Sequence, residues 1–305
     1  MAVNNTKRDA FGDYHPIVNM CYFVAVIGFS MFFMHPVSLM ISFVCAFSYA
    51  LYLNGRRMMR MSLIFMLPVL LLTSVLNPLF NHQGATILAY LPNGNPLTLE
   101  STMFGIATAV MFISVIAWFS CFNSVMTSDK FVYLLGRIIP ALSLILSMSL
   151  RFVPRFVKQA KIIANAQKCI GRDIGSGNIL QRAKHGIKIL SILVTWALEN
   201  AIETADSMKA RGYGIPGRTA FSIYRFNKRD SLALLFIIAV SMLMLLGAFF
   251  EVYRFRFFPT IRHFTGDFPA VFMPVLFMLQ LILFLLPLIV NVKEELSWTL
   301  TQSKI

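Results

Sequence analysis

The chain of 305 residues is apolar and basic. Hydrophobic residues make up 57% of it, charged residues only 13%, and its mean hydropathy is +0.71. Because a soluble domain carries about 25% charged residues, this composition excludes an ordinary soluble domain and indicates a membrane protein. In such a chain the net charge of +14 indicates cytoplasmic Lys and Arg and contact with membrane lipid, and we expect no nucleic acid partner.

Six apolar runs approach the roughly 20 residues that a spanning helix needs. They lie at about 17–34, 37–53, 62–80, 102–126, 231–250 and 270–291. Within these runs there is no Asp, Glu, Lys, Arg or His, and Asn19 and Gln280 are the notable polar side chains. A proton-driven carrier, which keeps an ionisable residue at membrane depth, is therefore disfavoured, whereas a sodium site made of carbonyl groups stays open.

The distribution of positive charge predicts the topology. The loop 81–101 has no Lys or Arg, whereas the stretch 151–230 holds fifteen Lys/Arg against five Asp/Glu. With the N-terminus inside, four spans return the chain to the cytoplasm, so this basic stretch and both termini are predicted to be cytoplasmic. The shorter apolar run 138–150 then cannot be a full crossing, and we predict a helix at the cytoplasmic interface. The predicted regions are 1–127 with four spans, 128–229, and 230–305 with two spans and a short tail.

Periodicity within the basic stretch predicts two long amphipathic helices. In 183–210 the apolar residues recur at steps of three or four: Ile187, Leu190, Leu193, Ala197, Ala201, Ala205 and Met208. The glycines between 171 and 177 predict a flexible break that separates this helix from an earlier one. The predicted fold is therefore all-α, a polytopic membrane protein with about six transmembrane helices and a cytoplasmic pair of long amphipathic helices.

Residues for catalysis or metal binding are few. Asp9 and Asp13 are predicted on a solvated tail before the first span, and Glu199 with Glu203 fits a solvated or partner-facing helix edge better than an acid–base pair. The histidines of the predicted outer loops each stand alone: His35, His82 and His263. No G-x-x-x-x-G-K-[ST] motif occurs, so we expect no ATP site in the chain itself and no cofactor.

One heptapeptide resembles the Ala-Arg-Gly signature of the transmembrane T components of energy-coupling factor (ECF) transporters, a CbiQ-like family of coupling subunits in ATP-driven vitamin and metal-ion importers. It is Met208-Lys209-Ala210-Arg211-Gly212-Tyr213-Gly214, with Arg218-Thr219 just beyond it. Other segments resemble the family in the same order over about 77–219. Two of them precede the coupling helices: Asn77-Pro78-Leu79-Phe80 and Pro96-Leu97-Thr98-Leu99-Glu100. The start and end of the first coupling helix resemble the family at Ser149-Leu150-Arg151-Phe152-Val153-Pro154 and Ala166-Gln167, and the second coupling helix does so at Leu198-Glu199-Asn200-Ala201.

The resemblance implies that two coupling helices each engage, by one end, one of two ABC-type ATPase subunits, which bind the ATP. A separate membrane S component then binds the substrate. The implied ATPase contacts are Ala210, Arg211 and Gly212 at the second helix end, and Gly171, Arg172 and Asp173 at the first.

The residue types of the second helix end suit docking. Ala210 is small enough for close approach, Arg211 offers a planar fork of donors, and Gly212 suits the left-handed residue that closes a helix. At the first helix end the family has Arg-Gly after the Ala-Gln pair, whereas this chain has Ile170-Gly171-Arg172. Either Arg172 substitutes after a local shift, or the first contact is weaker.

Three other functions compete with that of an ECF coupling subunit. The permease of a conventional ABC importer would form the substrate path itself and carry a Glu-Ala-Ala loop with a downstream glycine, and the sequence has no such loop. A membrane-embedded enzyme would need facing carboxylates or a histidine cluster, and a structural scaffold is a third possibility. The resemblance favours a non-enzymatic, multi-pass energy-coupling subunit of the cell membrane.

Overall fold

The computed structural model describes residues 9–90, 94–173, 175, 177–215, 224–263 and 272–302. Eight helices dominate these residues: Pro16–Phe32 (α1), Pro36–Phe80 (α2), Leu99–Val125 (α3), Ser128–Ile138 (α4), Pro140–Cys169 (α5), Ile179–Ala210 (α6), Lys228–Phe249 (α7) and Phe272–Gln302 (α8). Two antiparallel hairpins complete the described elements: Ile87–Tyr90 (β1) with Pro96–Thr98 (β2), and Phe255–Arg256 (β3) with Arg262–His263 (β4). The predicted all-α class is confirmed, although the sequence did not predict the hairpins.

The chain forms two compact units. The first combines residues 1–127 with 224–305, and the second is residues 128–223. The first unit contains α1, α2, α3, α7 and α8, and the second contains α4, α5 and α6.

Each of the six predicted apolar runs lies in a helix of the first unit. The runs 37–53 and 62–80 are the two halves of α2, which kinks at Gly55, where φ is 64° and ψ is −174°. Four helical segments are long and apolar enough to cross a membrane: Pro36–Leu53, α3, α7 and α8. The helix α1 and the segment Met66–Phe80 are apolar but shorter. The structure thus confirms a polytopic membrane protein, and the crossing of these two shorter helices stays a prediction.

Aromatic rings fill the core of the first unit around Trp118, which is fully buried. Its ring lies edge-on to Tyr22 and Phe284, with centroids 6.3 and 5.7 Å away. The indole Nε1 donates to the Ser42 hydroxyl at 3.2 Å, and that hydroxyl lies 2.7 Å from the hydroxyl of Ser30. Because unpaired polar groups are costly inside a membrane, these bonds hold α1, α2 and α3 in one arrangement.

The two side chains noted in the sequence, Gln280 and Asn19, also have structural partners. Gln280 on α8 donates through Nε2 to the hydroxyl of Ser38 on α2 at 2.6 Å. Asn19 on α1 donates through Nδ2 to the carbonyls of Gly12 and Tyr14 at 3.4 and 3.5 Å. Gln280 therefore joins two helices, and Asn19 fastens the segment that precedes α1.

That preceding segment belongs to the core, and the predicted solvated position of Asp9 is wrong. The Asp9 carboxylate accepts from the Tyr49 hydroxyl at 3.2 Å and from Asn291 Nδ2 at 2.7 Å. The Asn291 Oδ1 in turn accepts from the Ala10 N–H at 2.7 Å. Asp13, by contrast, is exposed as predicted. The partners of Asp9 lie far along the chain, so no local pattern could have identified them.

The outer-loop histidines differ from one another. His35 is only 3% exposed, accepts from the Val37 N–H at 3.3 Å, and packs on Phe277 with centroids 4.9 Å apart. Its predicted role as a lone loop residue is therefore wrong, because it caps and anchors the start of α2. His82 is half-buried, with Nε2 3.1 Å from Asn95 Nδ2. The side chain of His263 lies outside the described part of the structure.

The predicted outer loop 81–101 folds tightly against the start of α3. The buried Glu100 carboxylate accepts from the Thr86 N–H at 3.2 Å, and the Thr98 hydroxyl donates to the Gln83 carbonyl at 2.9 Å. Gly84 has φ of +153°, and a Cβ added there would lie 2.7 Å from the Cβ of Thr98. Only glycine fits at this position.

Candidate partner-binding site

The first coupling helix, α5, is longer than predicted. It begins at Pro140 and continues to Cys169. Proline suits the first helical turn, because the N–H that it lacks has no partner there in any case. The predicted interfacial helix 138–150 is therefore the first third of α5, and the predicted start near Ser149 is nine residues late.

The second coupling helix, α6, begins after the predicted glycine-rich break. Its N-terminus carries a capping box, in which the Asn178 side chain accepts from the first helical N–H groups and the Gln181 side chain accepts from the Asn178 N–H at 3.3 Å. Such reciprocal bonds pair donors that a helix start otherwise leaves open. The two long helices and the turn between them are therefore confirmed.

Contact between α5 and α6 is narrow and partly aromatic. The rings of Phe156 and Trp196 meet edge-on with centroids 5.8 Å apart, and the Arg155 guanidinium lies 5.6 Å from the Trp196 ring centre. One isoleucine on each helix, Ile163 and Ile189, is buried. A few large side chains therefore hold the pair of helices together.

A row of apolar side chains along α6 is exposed. Ile187, Leu190, Val194, Leu198 and Ile202 each expose between 50 and 68% of their surface. Their spacing places them on one side of the helix. The predicted apolar face is therefore divided: Leu193, Ala197 and Met208 are half-buried, whereas Ile187, Leu190, Ala201 and Ala205 are exposed. An exposed apolar row of this length indicates a contact surface.

The second helix end is closed by a left-handed glycine, as predicted. Arg211 is the capping residue that follows Ala210, with φ of −84°, and Gly212 comes next with φ of +80°. The Gly212 N–H donates to the Lys209 carbonyl at 2.9 Å, and the Tyr213 N–H donates to the Met208 carbonyl at 3.0 Å. This pair of bonds is the Schellman motif.

The first helix end is closed in the same way. Ile170 is the capping residue, with φ of −92°, and Gly171 follows with φ of +78°. The Gly171 N–H donates to the Lys168 carbonyl and the Arg172 N–H to the Gln167 carbonyl, both at 3.0 Å. Gly171 thus closes a helix. The sequence predicted it in a flexible break and as an ATPase contact, but did not predict this cap.

The common cap aligns the two helix ends residue by residue. Ile170 corresponds to Arg211, and Arg172 corresponds to Tyr213. Arg172 therefore does not align with Arg211. Ile170 is 67% exposed, so the first end presents an apolar side chain where the second presents a guanidinium.

The polar side chains at the two helix ends differ in how many ion pairs and hydrogen bonds they form. Arg211 and Arg172 are exposed, and neither forms an ion pair or side-chain hydrogen bond with another residue that the structure describes. Asp173 pairs with Lys168 at 3.4 Å and accepts from the Gly175 N–H at 3.0 Å. Arg211 therefore offers all its donors to a partner, whereas Asp173 already stabilises its own loop.

The remaining predicted contacts are Ala210, which is exposed, and the two closing glycines. Arg218 and Thr219 lie outside the described residues. All six predicted contact residues are at the two helix ends, and their contact with ATPases stays a prediction.

The match to known proteins covers most of the chain. The family model CbiQ, described as a cobalt transport protein, matches residues 13–223. The chain belongs to the CbiQ family. This membership confirms the family resemblance that the Ala-Arg-Gly segment indicated.

Individual CbiQ-type relatives agree. A protein named energy-coupling factor transporter transmembrane protein EcfT from Lactococcus lactis is 41% identical over 106 residues, which are 34% of this chain and 40% of the relative. Its counterpart in Streptococcus equi is 28% identical over 222 residues, 68% of this chain and 78% of the relative. In Lacticaseibacillus paracasei the identity is 41% over 107 residues, 35% and 39% of the two chains. The chain thus spans about two fifths of two of these relatives and over three quarters of the other.

Proposed function

We propose that the chain is the energy-coupling transmembrane subunit of an ATP-driven ECF-type importer of vitamins or transition-metal ions. In this proposal it links two ABC-type ATPase subunits, which bind the ATP, to a membrane S component, which binds the substrate. The chain itself holds no cofactor. The observation that supports the proposal most directly is the pair of exposed, identically capped helix ends described above.

The spacing of the helix ends supports two separate ATPase contacts. The first end leads into the N-terminus of α6, and the second is its C-terminus. At 1.5 Å per residue, the 32 residues of α6 give a helix about 48 Å long. One compact pocket cannot enclose both ends of such a helix, so each end meets its own subunit.

The chemistry of the second end supports a directional contact. The Arg211 guanidinium is a planar group whose donors suit paired carboxylate or carbonyl acceptors. Gly212 is left-handed, so the helix ends there and the chain continues in a turn over 211–214. Closure of the ATPases on ATP then moves both helix ends, and the two helices carry that movement along their length.

The apolar surfaces support the link to an S component. The exposed row on α6 offers contact area, and the membrane helices carry no charge in their apolar runs. Packing between apolar helices in lipid is not held by strong directional bonds, which suits a partner that must reorient. Cytoplasmic coupling helices and termini in the cell membrane complete the proposal, in accord with the basic stretch.

The test is co-purification of the complex with Arg211→Glu. Reversal of a hydrogen-bonded interfacial charge costs about 2–5 kcal/mol, so the variant loses one ATPase at least thirtyfold more readily. Lys188→Glu, an equal charge change at an exposed position in mid-α6, is the matched control and retains both ATPases. Unchanged ATPase binding and transport in Arg211→Glu would refute the docking of this helix end.

A second variant tests the other end separately. Ile170→Glu places a charge where the structure presents an apolar side chain, and we expect it to release the other ATPase while Arg211 keeps its own. Loss of the same subunit in both variants would contradict the assignment of one ATPase to each end.

A further inference from the structure

A groove between α7 and α8 combines a charged mouth with an apolar floor. It encloses about 700 Å³. Arg229 and Lys293 line its charged part, here called the mouth. Phe236, Ile282 and Ile289 line the groove on one side of the mouth, and Ser297, Trp298 and Thr301 line it on the other. We propose that this groove binds an anionic glycerophospholipid, with the phosphate at the two cations and one acyl chain along the apolar part.

The first step is that the mouth lies at a membrane boundary. α8 has 31 residues and is about 46 Å long, which exceeds the roughly 30 Å hydrocarbon core. Charged residues appear on it only from Lys293 onwards, and α7 begins with Lys228 and Arg229. Arg229 lies 3.9 Å from Glu294, so the charged parts of both helices are at one level. Headgroups occupy this level in a bilayer.

The second step is the charge of the mouth. Arg229 stacks over the Tyr14 ring at 4.1 Å and lies beside Glu294, contacts that hold its guanidinium in place. Lys293 forms no ion pair or hydrogen bond with another residue in the described part of the chain. Of the charged residues that line the groove, two are cations and one is a carboxylate, and the Asp230 carboxylate beside Arg229 is buried and does not line it. An ordered guanidinium together with an available ammonium suits a phosphate group.

The third step is the length of the apolar part. Phe236 lies seven residues from Arg229, and Ile282 lies eleven residues from Lys293, which is about 10 and 16 Å along the helices. Phe236, Ile282 and Ile289 are partly or fully open to the outside, at 36, 41 and 51%. Both helices are among the candidate spans, so the medium outside this part is hydrocarbon. A lipid chain fits that setting, whereas a soluble anion or an acidic peptide does not.

The test is native mass spectrometry of the full chain in detergent, titrated with phosphatidylglycerol or with phosphatidylcholine of the same chains. The wild-type protein binds phosphatidylglycerol more tightly. Each basic residue near an anionic surface contributes about 1 kcal/mol, so Lys293→Gln lowers this affinity about fivefold and Arg229→Gln with Lys293→Gln about thirtyfold. Glu294→Gln, which makes the mouth more positive, raises it about fivefold.

Lys228→Gln is the matched control, because Lys228 adjoins Arg229 but does not line the groove. It leaves the preference for phosphatidylglycerol unchanged. Equal lipid binding by the wild-type and double-variant proteins, or an equal loss in Lys228→Gln, overturns the proposal. Displacement of the lipid by millimolar inorganic phosphate overturns it as well, because the apolar part would then contribute nothing. Normal size-exclusion elution of each variant separates these outcomes from misfolding.

Discussion

The left-handed glycines that close the two coupling helices make a quantitative test possible. Gly212 has φ of +80° and Gly171 has φ of +78°. An L-residue with a Cβ pays about 1–2 kcal/mol for this conformation. A Cβ at 171 would meet nothing within 4 Å, whereas one at 212 would lie 3.1 Å from Ile215 Cδ1, the end of a flexible side chain. Gly171→Ala therefore isolates the backbone cost, and Gly212→Ala adds a small steric cost.

Amide hydrogen exchange measures this cost where it arises. The N–H groups of Gly212 and Tyr213 are the donors of the second cap, and they exchange when the cap opens. A cost of about 1–2 kcal/mol corresponds to roughly five- to thirtyfold faster exchange. The same variant loses affinity for its ATPase only in proportion to the fraction of caps that are open, so a cap that stays mostly closed leaves this affinity nearly unchanged.

Two controls identify the cause. Gly212→Asn keeps slow exchange, because asparagine tolerates the left-handed region better than alanine does. Gly186→Ala, within α6 and with nothing near its added Cβ, stabilises the helix by about 0.5–1 kcal/mol, since glycine in a helix is unfavourable. Equal exchange in the alanine and asparagine variants of Gly212 would refute the role assigned to its backbone conformation.

Three further predictions concern packing. Gly84→Ala lowers the stability of the first unit by about 3 kcal/mol, because the costs of overpacking and of a strained backbone add up. Gly94→Ala, with nothing near its Cβ, lowers the stability by about 1 kcal/mol. Equal thermal midpoints of the two purified variants would contradict this difference. A double-mutant cycle of Gln280→Leu and Ser38→Ala gives a coupling of about 1 kcal/mol, and a coupling of zero would show that their hydrogen bond contributes nothing. Trp196→Ala accelerates limited proteolysis between α5 and α6, while Trp196→Phe does so less, because phenylalanine retains a ring.

Much of the fold follows from the sequence alone. The apolar runs could be located because lipid-facing helices need long uncharged segments, and α6 because its apolar residues recur with the helical period. The start of α5 was missed because the run 138–150 was assigned to a separate interfacial helix, whereas Pro140 begins one helix that continues to Cys169. The position of Asp9 was missed because Tyr49 and Asn291 are brought to it only by tertiary packing.

The candidate site, too, was predicted from the sequence only in part. The residues of both helix ends could be identified from motifs, and the cap at Gly212 from its composition. The motif already placed Ile170 where the family has arginine, and the backbone hydrogen bonds add that Ile170 caps α5 as Arg211 caps α6. Those bonds place Arg172 two residues beyond the cap, and whether it substitutes for the arginine of the family or the first contact is weaker stays a prediction.

The proline within α5 has a mechanical consequence. Pro154 lies near the middle of that helix, where its ring removes a backbone hydrogen bond and creates a point of bending. α6 has no proline in its 32 residues. A force applied at Gly212 therefore acts on a helix without proline, whereas a force applied at Gly171 acts on a helix with a proline about 25 Å away. Because α6 is stiffer than α5, equal displacements of the two helix ends produce unequal movements along the two helices.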